Sequence, residues 1–185
     1  LSDIYFSGNR VSNRLYLNQG DFNFEDATEA AGVAGKASWS TGVTMADVNG
    51  DGWLDIYLCN SGDIAGDNKR NELYLNNQDG TFTEAAEQFG LANEGLSTHA
   101  VFFDYDRDGD LDLVLGNEDN TEPNHIYMNQ GTGVYVRAGA LGMETDITWS
   151  LAIGDIDHDG DLDIVTGNFE APNRLYKNAG NGTFH

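Results

Sequence analysis

A nine-residue acidic tract occurs three times in the chain. It reads Asp-Val-Asn-Gly-Asp-Gly-Trp-Leu-Asp at 47–55, Asp-Tyr-Asp-Arg-Asp-Gly-Asp-Leu-Asp at 104–112 and Asp-Ile-Asp-His-Asp-Gly-Asp-Leu-Asp at 155–163. A second tract, Asn-x-[Leu/Ile]-Tyr-x-Asn, occurs four times, at 13–18, 71–76, 124–129 and 173–178. Successive acidic tracts are about 51 to 57 residues apart, a spacing typical of propellers and solenoids. Such a chain is a row of similar units, and each unit must bury its apolar surface against its neighbours.

Within a unit the hydrophobic pattern has period two. Leu54/Ile56/Leu58, Leu111/Leu113/Leu115 and Leu162/Ile164 are expected on one face of a strand, with the intervening residues on the other. Leu73 and Leu75 oppose Tyr74 in the same way. Asp79-Gly80 and Asn181-Gly182 are two-residue hairpin signals, and short strands such as 80–83 follow them. A further apolar strand precedes each acidic tract, over 42–46, 100–103 and 151–154. Four short antiparallel strands per unit make an all-β chain of β-propeller blades. One helical turn is expected over 26–31, with Asp26 and Glu29 at capping-box spacing and Gly32 as its stop.

Asp3-Ile-Tyr-Phe matches Asp55-Ile-Tyr-Leu, so the sequence begins inside a blade, and it stops in a fourth strand at 182–185. The units are then 1–34 (partial), 35–92, 93–143 and 144–185 (partial). They amount to about 3.75 blade equivalents. The expectation is a segment of a larger propeller, or a protomer completed by a neighbour.

Charge narrows the partners. The 185 residues carry 31 Asp and Glu against 9 Lys and Arg, a formal net charge of −22. Such a surface repels phosphate backbones and anionic bilayers, which argues against nucleic acid and membrane partners. Divalent cations and basic partners remain open. No apolar run reaches the roughly 18 residues of a membrane helix. One cysteine, Cys59, leaves no internal disulfide framework.

The acidic tracts have the chemistry of metal loops. Oxygens stand at positions 1, 3, 5 and 9: Asp47, Asn49, Asp51 and Asp55; Asp104, Asp106, Asp108 and Asp112; Asp155, Asp157, Asp159 and Asp163. The position-7 residues Trp53, Asp110 and Asp161 would add a main-chain carbonyl, leaving their side chains to solvent. Gly52, Gly109 and Gly160 allow the sharp turn. Two carboxylates about 4 Å apart repel by about 4 kcal/mol at an effective dielectric near 20. Several such pairs would splay a bare turn, and a bound divalent ion removes that cost. Ca²⁺ wants six to eight hard oxygens, whereas Mg²⁺ keeps waters and Zn²⁺ favours nitrogen and sulfur. About three Ca²⁺ sites are expected. An EF-hand is excluded: position 12 is Leu58, Leu115 or Thr166, and the flanks are strands.

On these residues the Asp-x-[Asp/Asn]-x-Asp-Gly-x-x-Asp loop and its apolar strand resemble the FG-GAP repeats of integrin alpha-chain propellers. The Asn-x-Leu-Tyr-x-Asn and Gly-Thr-Phe tracts are similar to VCBS-type repeats of secreted bacterial proteins and cartilage-acidic-protein-like chains. The resemblance implies metal loops between the first and second strands of a blade, and recognition loops on the opposite face. It implies structural calcium and an extracellular or cell-surface scaffold that binds a protein or glycan. Millimolar extracellular Ca²⁺ suits modest-affinity modules. Two other functional readings stand beside it: a subunit that assembles with copies of itself through exposed edges, and a non-catalytic module attached to a secreted enzyme.

The remaining candidates are weaker. The second-to-third strand link is long in one unit, 61–70, and would project from the recognition face. Trp39, His99 and Trp149 either pack between blades or form a sugar- or peptide-binding surface, and packing is the expectation. Ser97, Thr98 and His99 lack the Gly-x-Ser-x-Gly elbow of a hydrolase. Cys59 is expected to be a packed residue, His158 to be exposed, and Tyr16, Tyr74, Tyr127 and Tyr176 to pack between blades. Asn181-Gly-Thr183 fits a glycosylation pattern within a tight turn.

Overall fold

In the computed structural model, residues 1–36, 39–62, 68–131, 133–142 and 144–185 are described. They form four antiparallel sheets in chain order. The first holds β1 (Ile4–Phe6), β2 (Arg14–Gly20) and β3 (Asn23–Asp26), and is followed by a helical turn, α1 (Thr28–Ala31). The second holds β4 (Ser40–Ala46), β5 (Asp55–Asn60), β6 (Glu72–Asn76) and β7 (Phe82–Glu84), followed by α2 (Ala86–Phe89). The third holds β8 (Ser97–Phe103), β9 (Asp112–Asn117), β10 (His125–Asn129) and β11 (Tyr135–Ala140). The fourth holds β12 (Ile147–Gly154), β13 (Asp163–Phe169) and β14 (Arg174–Tyr176). In each sheet the strands pair with their sequence neighbours only.

The core lies between sheets, in three clusters that follow one rule of register. Tyr5 and Leu15, paired across β1 and β2, pack on Ile56, Leu58 and Tyr74 of the second sheet. Tyr57 and Leu73, the equivalent pair of the second sheet, pack on Leu113, Leu115 and Tyr127 of the third. Val114 and Ile126 of the third pack on Ile164 and Tyr176 of the fourth. Each of these middle strands is therefore apolar on both faces. This corrects the single apolar face expected for them: β5 and β9 are buried at every residue. Leu54 precedes β5 and is exposed. The expected inter-sheet packing of Tyr74, Tyr127 and Tyr176, and the burial of Cys59, are as found.

Polar bonds at the ends of the strands reinforce the stacking. Asn71 Nδ2 donates to Ser97 Oγ and Asn124 Nδ2 to Thr148 Oγ1, both at 2.9 Å and both into the next sheet. The strands β4, β8 and β12 begin with bulges, and the bulge hydroxyls of Thr41 and Thr98 donate to Ser97 O at 2.7 Å and Thr148 O at 2.6 Å. These strands start earlier than the period-two pattern indicates, because a bulge breaks the alternation on which the reading depends.

Three local expectations change. The links after β6 and β14 are not two-residue turns. They are longer loops closed by Asn77 N–H to Thr81 O and Ala179 N–H to Thr183 O, both 2.9 Å. The fourth sheet has no regular fourth strand, only a bridge between Asn178 and Phe184. The helical turn is present and Gly32 ends it in the left-handed region, but no capping box forms. Asp26 lies in β3 and accepts from the N–H and hydroxyl of Thr28. An equivalent turn, α2, closed by Gly90, was not expected from the sequence.

Candidate metal centre

Each acidic tract joins the first strand of its sheet to the second: β4 to β5, β8 to β9, β12 to β13. A meander therefore puts all three loops at the same end of their sheets. A cleft of about 450 Å³ separates the first from the second. Arg107 of the second loop reaches the third, with its Nε 2.7 Å from Asp161 Oδ1.

The backbone turn is the same in each loop. Gly52, Gly109 and Gly160 have φ of +89°, +98° and +90°. A Cβ at Gly52 or Gly109 would meet nothing within 4 Å, so glycine is needed there for its conformation and not for space. The first carboxylate accepts the N–H of that glycine: Asp47 at 2.8 Å, Asp104 at 3.0 Å, Asp155 at 3.1 Å. The fifth-position carboxylates Asp51, Asp108 and Asp159 accept the N–H of position 7, each at 2.9 Å. These bonds fold the side chains inward over the turn. As a result Asp104, Asp106 and Asp108 bring carboxylate oxygens within 4.8 Å of one another, and so do Asp155, Asp157 and Asp159. In the first loop Asn49 takes the middle place, and its amide donates to Asp51 at 3.2 Å.

The ninth-position carboxylates Asp55, Asp112 and Asp163 lie outside those groups, fully buried. Each accepts two backbone N–H bonds. One comes from position 2 of its own loop: Val48, Tyr105 or Ile156, at 3.0–3.2 Å. The other comes from the last Asn of the second tract: Asn76, Asn129 or Asn178, at 2.8–2.9 Å. That Asn also donates its amide to the carbonyl before the Asp, Leu54, Leu111 or Leu162. The acidic loop is thus stapled to the third strand. Sequence reasoning missed this partnership, although the recurrence of Asn76, Asn129 and Asn178 was its signal.

Burial pushes Asp112 up to about 6, with the charges of Asp106 and Asp108 adding and its two N–H bonds opposing. Asp55 shifts the same way, through burial and then Asp51 and Asp47. Asp106 is raised by burial and by Asp108. Asp157 is held below the usual carboxylate range by Lys177, whose Nζ is 2.9 Å away. Of the position-7 side chains, Trp53 is exposed as expected, but Asp161 is buried and paired with Arg107. Its burial corrects the expectation that it faces solvent.

The donor set fits a hard divalent cation. It is all oxygen, three carboxylates converge in two of the loops, and Asp155 Oδ1 is buried without a hydrogen-bond partner.

The repeat pattern described as "FG-GAP-like repeat" matches residues 1–58, 63–115 and 104–166. The chain belongs to the FG-GAP-like repeat family. It is 29% identical to cartilage acidic protein 1 of Mus musculus over 172 residues, which cover 84% of this chain and 25% of that protein. It is 30% identical to integrin alpha-6 of Gallus gallus over 175 residues, covering 81% of this chain and 16% of the integrin. A shorter stretch of 68 residues is 37% identical to cartilage acidic protein 1 of Homo sapiens. This FG-GAP chain therefore spans a quarter or less of the relatives it matches.

Trp39, His99, Trp149 and the link 61–70 lie toward the opposite ends of the strands, whereas His158 and the 181–183 turn lie at the acidic-loop end. Trp39 and Trp149 are 38% and 57% exposed, so neither is enclosed between two of the described sheets. Trp149 stacks on Phe169, with ring centroids 4.5 Å apart. His99 is half-buried, and burial lowers its pKa. Of the long link 61–70, residues 63–67 lie outside the described residues. His158 is exposed, in the left-handed region with φ +62°. Among the described residues no helix is long and apolar enough to cross a membrane.

Proposed function

We propose that this FG-GAP chain is a segment of an extracellular β-propeller, built as a non-catalytic scaffold for adhesion or recognition, with calcium as a structural ion. The observation that carries the reading is the convergence of the loop carboxylates in the second and third loops. The four sheets act as blades, in units 1–34, 35–92, 93–143 and 144–185. Positions 1, 3 and 5 and the position-7 carbonyl would hold the ion, while the ninth Asp, expected from spacing as a further ligand, has both oxygens engaged by backbone N–H groups. Bound Ca²⁺ supplies charge neutralisation: three ions change the formal charge from −22 to roughly −16. The chain's own groups do the rest. The glycine turn aims the carboxylates, and the ninth Asp with its Asn ties the loop to the third strand. Support for an adhesion role comes from the likeness to an integrin alpha chain and to cartilage acidic protein.

The loops differ in what they ask of a cation. Lys177 occupies Asp157 in the third loop and must be displaced, whereas no ion pair holds Asp104, Asp106 or Asp108 among the described residues. Calorimetric titration of the metal-free chain with Ca²⁺ is expected to show three sites, the second loop tighter than the third. Asp106→Asn should remove or weaken the tight class. A titration without saturable binding overturns the calcium reading.

A further inference from the structure

We infer that a cavity in the third sheet, at the end away from the acidic loops, binds a primary ammonium group. The cavity holds about 270 Å³ and is lined by the last residue of β9, Asn117, and the first of β10, His125. His125 is opposite Leu115 in register, and Asn117 lies two residues beyond Leu115, so both side chains leave the same face of the sheet. Leu115 packs there on the second sheet, so the site is inside the stack and apart from both ends of the chain.

Each of the two residues carries a buried acceptor without a donor. Both are 2% exposed. His125 Nε2 lies 3.2 Å from Glu122 Oε2. A carboxylate only accepts, so Nε2 holds the proton and Nδ1 keeps its lone pair. Burial lowers the His125 pKa, with Arg137 adding and Glu122 opposing, which leaves the ring neutral at pH 7. Nδ1 has no hydrogen-bond partner among the described residues. Asn117 Nδ2 donates to Pro123 O at 2.8 Å, and its Oδ1 has no partner either. In the second and fourth sheets Asn60 and Asn168 hold the same place and donate likewise, to Arg70 O and Pro172 O. Their oxygens accept the hydroxyls of Ser40 and Thr148, at 2.8 and 2.9 Å. The third sheet has Ser97 at that point, and its hydroxyl receives Asn71 and Asn93 instead.

Two such acceptors call for one group with several donors. Around them stand Glu94, Asp119 and Glu122 against one guanidinium, that of Arg137, whose Nη2 is 3.5 Å from Glu122. The site therefore favours a positive charge. An ammonium has three N–H donors and no acceptor. Two would meet His125 Nδ1 and Asn117 Oδ1, and the third a rim carboxylate. A guanidinium fork matches the paired oxygens of one flat group, whereas these acceptors come from two strands. The ammonium can come from a free alkylamine or from a lysine side chain of another protein. The inference uses neither the calcium loops nor the adhesion reading, so either can fail without it.

Calorimetric titration tests it, with Ca²⁺ present and in physiological salt to screen loose surface pairing. Butylammonium is expected to bind saturably. Butyltrimethylammonium, with the same charge and no N–H donor, should bind at least about tenfold more weakly. His125→Phe keeps a ring beside Tyr127 and removes the acceptor, and Glu122→Gln removes a rim charge from a half-exposed side chain. Each should weaken butylammonium about tenfold with an unchanged circular dichroism spectrum. Should the ring substitution disturb the fold, Glu122→Gln carries the test. Putrescine and Nα-acetyl-lysine methylamide separate the two sources, since tighter binding of the first assigns the site to free amines and of the second to a protein side chain. No saturable binding of butylammonium overturns the inference. So does equal binding of the trimethyl form, or either folded variant binding as the wild type does.

Discussion

The ninth Asp of each loop shows how two residues of one type in one motif come to do different work. Asp112 is fully buried with both oxygens accepting backbone N–H bonds, whereas Asp106 lies on the loop with its oxygen turned toward Asp104 and Asp108. Removing Asp112 strands two buried donors, at about 1–3 kcal/mol each. Asp112→Ala is therefore expected to lower stability by at least about 2 kcal/mol in EGTA as well as in Ca²⁺, by urea unfolding. Asp106→Asn should not lower stability in EGTA, and should raise it by relieving burial of the charge and repulsion from Asp108, while reducing the gain from Ca²⁺. Equal losses in EGTA would show that the two positions share one role. Spacing grouped these carboxylates as equivalent ligands. It could not separate them, because the partner that distinguishes Asp112, Asn129, is in another strand.

Glu72 gives a residue-scale prediction away from the loops. It is buried, accepts the Tyr74 hydroxyl at 2.6 Å, and burial raises its pKa despite that bond and Lys36. A carboxyl raised on folding favours the native state fully below its unfolded pKa, and that advantage is lost as pH rises through the folded value. Glu72→Gln should therefore stabilise the protein at neutral pH, with the difference shrinking to nothing below about pH 4. A difference that does not vary with pH would contradict the assignment.

At the scale of elements, the helical turns and bulges mark where pattern reading stops. Gly32 and Gly90 both close a turn in the left-handed region, at φ +76° and +75°. A Cβ on Gly32 would find Phe82 O at 3.7 Å, while one on Gly90 would lie 2.4 Å from Tyr135 O. Gly32→Ala should cost about 1–2 kcal/mol, the left-handed penalty alone. Gly90→Ala should cost clearly more in the same denaturation assay, because the backbone of β11 blocks it. Equal costs would mean that the third sheet yields freely. The first of these turns is legible from Asp26 and Gly32. The second is not, because Ala85–Phe89 carries no Asp or Ser/Thr cap ahead of it. The early start of β4 and β8 is hidden for a different reason: bulges at Thr41 and Thr98 break the alternation, and they exist to reach the next sheet.

For the whole molecule, the repeat carried most of the information. Four recurrences of Asn-x-[Leu/Ile]-Tyr-x-Asn fixed the number of sheets, and period-two alternation fixed the strand type. The sequence alone did not reveal that the middle strands are apolar on both faces. Tyr57, Cys59 and Val114 read as the outward set when a sheet is considered alone, and only stacking turns them into core. The same stacking leaves the acidic loops beside one another at one end, the first and second flanking a cleft and the second and third joined by Arg107 and Asp161. The fold should therefore be held against the charge of these loops by bound cations.

A thermal melt in EGTA, then with Ca²⁺ restored, then with Mg²⁺ in its place, tests this most directly. A site that binds only the folded chain adds about 2.7 kcal/mol at a hundred times its Kd. In a protein of this size that raises Tm by about 5–10 °C for each site. A rise of at least this size is expected in Ca²⁺ and a much smaller one in Mg²⁺. A folded protein whose Tm is the same in EGTA and in Ca²⁺ would contradict it.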